Sequence, residues 1–155
     1  MGIKADRLQW PFFDEPHRQL AAQAGEWAAI QLGSAEHPTE RAAVDLRCRQ
    51  LVSALGKAGL LQHCLRAADG GTAADFDARS ICLLRSTLAY HDGLADFAFA
   101  MQGLGSAPLS LAGDAQMRSL WLPRVADGKA IAAFALSEPE AGSDVAAMQT
   151  SAKKV

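Results

Sequence analysis

Aromatic residues are scarce in this 155-residue chain, with one Tyr, three Trp and six Phe. A β sandwich or barrel built on aromatic cross-strand pairs is therefore disfavoured. Cysteine is scarce too. Cys48, Cys64 and Cys82 are an odd number and hold no CxxC pair, which argues against a disulfide framework or structural zinc and fits a reducing compartment. His17, His37, His63 and His91 are scattered without HxxxH spacing, so they read as surface or hydrogen-bonded structural residues, and no metal site is expected. No charge of one sign dominates: 15 basic residues stand among 17 acidic ones, which disfavours a nucleic-acid partner. No apolar run reaches the roughly 18 residues of a membrane span. Residues 1–11 contain no apolar stretch of the secretory type, and Met1-Gly2 lacks the Ser or Thr that myristoylation wants at position 6, which is Asp6. The expectation is a cytoplasmic protein without membrane attachment.

What the chain has in excess is Ala and Leu, 32 and 19 residues, both strong helix formers. With half its residues hydrophobic and a net charge of -2, it is built to fold. Asp14, Glu15 and Pro16 predict a helix start, Leu20, Ala24, Trp27 and Ala28 its buried stripe, and Gly33 its stop. A second helix is expected from Thr39, burying Val44, Cys48, Leu51 and Leu55 and ending at Gly56 and Gly59. A third starts near Asp75 and buries Ala78, Ile81, Leu84 and Leu88 up to Gly93. A short fourth carries Leu94, Phe97, Ala98 and Met101, Gly103 and Gly105 interrupt it, and Pro108 to Ala112 adds a separate turn or two. Asp114 caps a last segment with Met117, Leu120 and Trp121, which Pro123 ends.

The texture changes at Gly128. Ala130 to Leu136 is an unbroken apolar run between Gly128 and Pro139, which predicts a buried strand, and Met148 to Val155 reads as the start of another. The expected organisation is mainly α, a helical domain over residues 1–127 followed over 128–155 by the opening of an incomplete β domain.

The chemistry is concentrated in Phe134-Ala135-Leu136-Ser137-Glu138-Pro139-Glu140-Ala141-Gly142-Ser143-Asp144. A strand would deliver the Ser137 hydroxyl to a fixed place beside an apolar surface, and Pro139 would stop the pairing. Gly142-Ser143 lets backbone N–H groups approach a ligand, an arrangement that holds phosphate oxygens. Asp144 can cap the next turn of chain or orient the Ser143 loop. On these grounds alone the segment is either an ordinary strand and turn or a place for a flat, polar-edged ring with a phosphate tail.

This segment resembles, nearly residue for residue, the signature that opens the middle β domain of the acyl-CoA dehydrogenase family, Phe-Ala-Leu-Thr-Glu-Pro-x-Ala-Gly-Ser-Asp. Leu122-Pro123-Arg124-Val125-Ala126-Asp127-Gly128 resembles the family's approach to it. Softer likeness, through Asp114-Ala115-Gln116 and Gly70-Gly71, runs back to about residue 12. The resemblance implies a helical bundle of that family's type, an FAD cofactor, and removal of the α and β hydrogens of an acyl-CoA thioester. It implies flavin contacts from Phe134, Leu136 and Ser137, phosphate contacts from Gly142 and Ser143, and a second contact of Ser143 with the CoA part of the substrate. It also implies an electron-transfer partner and a homo-oligomer for the complete enzyme.

Ser137 stands where Thr is commoner, Glu140 where Gly is frequent, and residues 63–69 lack the family's usual Pro and aromatic. The family's catalytic Glu lies beyond the matching region, so no catalytic residue is assigned, and Glu138 reads as structural. The 155 residues alone are expected to be inactive. The alternatives are an acyl-CoA oxidase or flavin-dependent monooxygenase of the same fold, or a non-catalytic, truncated helical module. Leu94, Phe97, Met101, Leu104 and Leu109 are candidates for an acyl pocket but read first as core, and Cys48 reads as a small buried hydrophobe.

Overall fold

The computed structural model describes residues 6–33 and 38–153. Met1-Gly2, His37 and the last two positions of the anticipated second strand lie outside the described residues. Five α-helices carry the described fold: α1 Glu15–Leu32, α2 Arg41–Lys57, α3 Ala78–His91, α4 Gly93–Ala112 and α5 Ala115–Ala126. Single 3-10 turns at Leu60–Cys64 and Ala67–Asp69 join α2 to α3.

The start of α1 follows from its own residues. Pro16 sits in the first turn, where its missing N–H costs nothing, and Gly33 closes the other end. Leu20, Ala24, Ala28 and Leu32 form the buried stripe, with His17 buried one turn earlier. His17 Nδ1 accepts from the Asp14 N–H at 3.1 Å, so the ring proton sits on Nε2, 2.8 Å from Asp77 Oδ2. Ser80 Oγ donates to the same carboxylate oxygen at 2.7 Å, and Asp77 caps α3 by accepting from the Arg79 N–H. Burial alone would push the Asp77 carboxyl up, but the bonds from Ser80, His17 and Arg79 hold it far below the usual carboxylate range. One residue thus starts α3 and fastens it to α1.

The main core joins Leu20 and Ala24 of α1, Leu55 of α2, Leu60 and Leu61 of the turn, Leu84 and Leu88 of α3, and Phe99 of α4. Each such Leu contributes about 1.5–3 kcal/mol by leaving water. α4 packs on α2, α3 and α5 and is the central helix. It starts on Asp92, whose carboxylate accepts from the Leu94 N–H at 2.8 Å, and Arg85 grips Asp96 with two bonds of 2.8 and 2.9 Å.

Several expectations are corrected. The N-cap of α2 is Glu40, not Thr39, and the helix runs through Gly56 to Lys57. Val44 and Cys48 are half-buried rather than core, and Ala78 is exposed. The fourth helix and the Pro108 turn are one 20-residue helix: Gly105 is a packing position, where a Cβ would meet Ala132 and Ala133, and a Cβ on Gly103 would make only ordinary contact with the Cys64 side chain. α5 passes Pro123 and closes with the Asp127 N–H on the Pro123 carbonyl at 3.0 Å. Its buried face is Leu122, Val125 and Ala126, while Met117, Leu120 and Trp121 face outward.

The largest correction concerns the anticipated strand. Residues 131–137 are neither helical nor paired, and residues 148–153 are likewise irregular. A strand is defined by its ladder, and the described residues offer this segment no partner strand.

Candidate functional site

The path from α5 to the signature segment is held by close backbone contacts. Gly128, at φ +67°, turns the chain out of the helix, and the Lys129 and Ala130 N–H groups donate to the Arg124 carbonyl at 2.8 and 3.0 Å. Gly56 of α2 lets this turn lie directly on the helix: a Cβ there would stand 2.3 Å from the Asp127 carbonyl carbon. Ala132 then reaches α4, where its N–H donates to Gln102 Oε1 at 3.0 Å. A Cβ on Gly105 would stand 2.7 Å from Ala132 Cβ and 2.8 Å from the Ala133 nitrogen.

Beyond Ala133 the chain opens to solvent. Phe134 and Leu136 are 40% and 37% exposed, and Ser137 is exposed. Glu138 and Ala141 then exchange backbone bonds, N–H to C=O, at 2.9 and 3.2 Å, with Pro139 and Glu140 at the corner. Ser137 and Gly142, one step outside this pair, leave the turn side by side. Ala141 is buried at 1% exposure and anchors the turn.

The Glu138 carboxylate closes the loop from inside. It accepts from the Gln149 N–H at 2.8 Å, from the Thr150 N–H at 2.9 Å and from the Thr150 hydroxyl. These donors, the Gln149 N–H first, hold its carboxyl below the usual range. Glu138 is therefore structural, and its ionised form is committed to the loop. Asp144 caps the short turn Val145–Ala147 by accepting from the Ala146 N–H at 3.2 Å.

Of the five residues assigned to a cofactor, Ser137, Gly142 and Ser143 come to one open turn, with Phe134 and Leu136 leading into it. Neither serine hydroxyl bonds to another described residue, and nothing lies within 4 Å of where a Gly142 Cβ would be. Free hydroxyl donors and uncrowded backbone beside half-exposed apolar side chains fit one edge of a flavin and its phosphates. Glu140, exposed at the corner, brings a negative charge to the same turn.

The residues considered for an acyl pocket divide. Leu94 packs on the main core, Leu109 on the small cluster of Leu65, Leu122 and Ala126, and Phe97 stands exposed. Leu104 lines a cleft of about 320 Å³ between α3 and α4, with Phe76, Ile81, Arg85 and Phe99. Burial raises the Cys48 thiol and pushes Cys64 up to about 12, so neither is an activated nucleophile. Asp69 accepts from Arg66 and from Ser110, and these bonds, against the effect of burial, keep it ionised as a brace between the Arg66 turn and α4. Among the described residues no cluster of His, Cys, Asp or Glu could hold a metal, and no helix is long and apolar enough to cross a membrane. Sequence reasoning missed Gln102 and read Gly105 as a break. The available signal was a large amide on a buried stripe otherwise lined by small or apolar residues, which marks the position but not its partner.

Residues 14–129 match the model of the acyl-CoA dehydrogenase N-terminal domain. The "Probable acyl-CoA dehydrogenase fadE25" of Mycobacterium leprae is 34% identical over 151 residues of alignment, which covers 92% of this chain and 37% of that protein. The very long-chain specific acyl-CoA dehydrogenase of mouse mitochondria is 43% identical over 70 residues, 44% of this chain and 11% of that protein. The fadE25 protein of Mycobacterium bovis is 40% identical over 84 residues, 54% of this chain and 21% of that protein. The chain thus spans little more than a third of the length of the first of these relatives. A domain match across five helices, continued by similarity through the signature, makes this chain a member of the acyl-CoA dehydrogenase family.

Proposed function

We propose that this chain supplies the helical domain, residues 1–127, and one flavin edge, within residues 128–155, of an FAD-dependent acyl-CoA dehydrogenase. The observation that carries this reading is the open turn at 137–143, where two hydroxyls that bond no other described residue and an uncrowded glycine stand beside Phe134 and Leu136. A bound FAD would supply the hydride acceptor for the β carbon of the thioester. Ser137 donates to the polar edge of the ring, where a hydrogen bond favours the reduced, more negative form. Phe134 and Leu136 keep water from that edge. Gly142 and Ser143 present donors to the phosphates, and Ser143 also reaches the CoA part of the substrate. Removal of the α proton falls to a carboxylate outside this set of residues. The enzyme passes its electrons to a separate acceptor protein, works as a homo-oligomer and resides in the cytoplasm.

The five site residues are exposed or nearly so, and a bound cofactor needs about 70–90% of its surface enclosed. The 155 residues alone are therefore expected to hold no FAD and to oxidise no acyl-CoA. Joined to the remaining part of a family member, they should retain FAD through dialysis and reduce an artificial acceptor with an acyl-CoA. Ser137→Ala should then shift the flavin potential or content more than Ser106→Ala, whose hydroxyl is spent on the Gln102 carbonyl. A folded chimera without flavin, or equal flavin properties in the two variants, would overturn this reading. Rapid reaction of the reduced chimera with oxygen would reassign it to an oxidase or monooxygenase.

A further inference from the structure

Between residues 131 and 137 the described chain makes a single hydrogen bond to the rest of the molecule, from the Ala132 N–H to Gln102 Oε1 at 3.0 Å. Gln102 is 1% exposed and lies on the buried stripe of α4 with Ala95, Ala98, Phe99, Ser106 and Ser110. An amide at such a place costs free energy unless it is bonded, so a side chain placed only to fill the core would be apolar. Three residues further along the helix, Gly105 removes the side chain that would hold Ala132 and Ala133 away. The two positions act as a pair, one admitting the backbone and the other fixing its register.

We propose that Gln102 is a positioning residue for the signature segment: through Ala132 it sets where Phe134, Leu136 and Ser137 leave the helical domain. The inference rests on the reading that these residues face a flavin, but the anchor itself is measurable without one. Ser137 follows Ala132 by five positions, near enough that a lost anchor moves the hydroxyl. α4 has its own packing and backbone bonds, so it survives the change.

The test is amide hydrogen exchange and chemical shift in the isotope-labelled chain, with the unfolding midpoint as a control. Gln102→Met keeps the length and removes the acceptor, whereas Gln102→Glu keeps an acceptor oxygen. In Gln102→Met, Ala132 exchange should rise about fivefold to tenfold, the size of one net hydrogen bond, and the Ser137 resonance should move. The α3 and α4 amides should stay protected, and Gln102→Glu should restore Ala132. If Gln102→Met does not fold, Gln102→Asn, which draws the acceptor back by one carbon, carries the same comparison. Unchanged Ala132 exchange, or faster exchange shared equally by the helices and not rescued by Glu, would overturn the proposal. In the flavin-binding chimera, Gln102→Met should shift the flavin potential in the direction of Ser137→Ala, and a wild-type potential there would also overturn it. If exchange responds as expected but the wild-type chimera holds no flavin, the anchor stands and the flavin reading falls.

Discussion

The helical unit from Glu15 to Ala126 and the segment from Ile131 to Thr150 are built on opposite terms. Each helix satisfies its own backbone and buries a stripe, so its order is redundant: Leu84 belongs to one core cluster drawn from α1, α2, α3, α4 and the turn after α2. The signature segment has no ladder and one buried residue, Ala141. It keeps its course through a few discrete fastenings, namely Gly56 under Asp127, Gln102 on Ala132, Gly105 under Ala133 and Glu138 on Thr150. The lesson is that order can be supplied by packing or by points of attachment.

The sharpest way to break the contrast is to truncate one large apolar side chain in each region. Leu84, fully buried, should cost about 2–5 kcal/mol as Leu84→Ala. Phe134, 40% exposed, should cost within about 0.5 kcal/mol as Phe134→Ala. Chemical denaturation of both variants decides the matter, and similar losses would mean that Phe134 is packed after all.

Next in size is the glycine seam. A Cβ on Gly56 would sit 2.3 Å from backbone, whereas Gly25 in α1 has nothing within 4 Å. Gly25→Ala should stabilise by about 0.5–1 kcal/mol through helix propensity. Gly56→Ala should instead destabilise by about 1–3 kcal/mol, since the turn at Asp127 must move. Equal gains in thermal denaturation would show that the turn does not rest on α2.

The smallest effect is local and depends on pH. The Glu138 carboxyl is held below its ordinary value by the Gln149 and Thr150 donors. Its contribution is therefore fully present above the ordinary carboxylate range and is lost as pH falls through that lowered value. Acidification should expose the Gln149 and Thr150 amides to exchange before the helices respond, and Glu138→Gln should weaken their protection at neutral pH. Protection unaltered by either change would remove Glu138 as the loop's clasp.

Much of the helical unit was legible because its signals are local. Asp14, Pro16 and Gly33 mark α1 without reference to anything outside it, and Asp114 marks the start of α5. The 3.6-residue stripe of Leu20, Ala24 and Ala28 needed only its own sequence. α5 was misread because both its faces are apolar, Met117, Leu120 and Trp121 on one side and Leu122, Val125 and Ala126 on the other. Periodicity finds two such stripes and cannot choose between them. The candidate site was named from a motif, but the residues that hold it, Gln102 and Gly105, lie about thirty positions earlier with no local mark of that role.

The sequence by itself determined that the chain up to Asp127 is mainly helical, the caps Asp14 and Asp114, and the identity of the signature, because hydrogen bonds between residues four apart and a fixed order of side chains are written along the chain. Only the tertiary structure decided that Gly103 and Gly105 continue α4 rather than break it. It also decided which face of α5 is buried and that Ala130 to Leu136 remains unpaired. Each of these depends on what lies across from a residue: a backbone close enough to repay the propensity cost of Gly105, a neighbour to cover one stripe, or a second strand to complete a ladder.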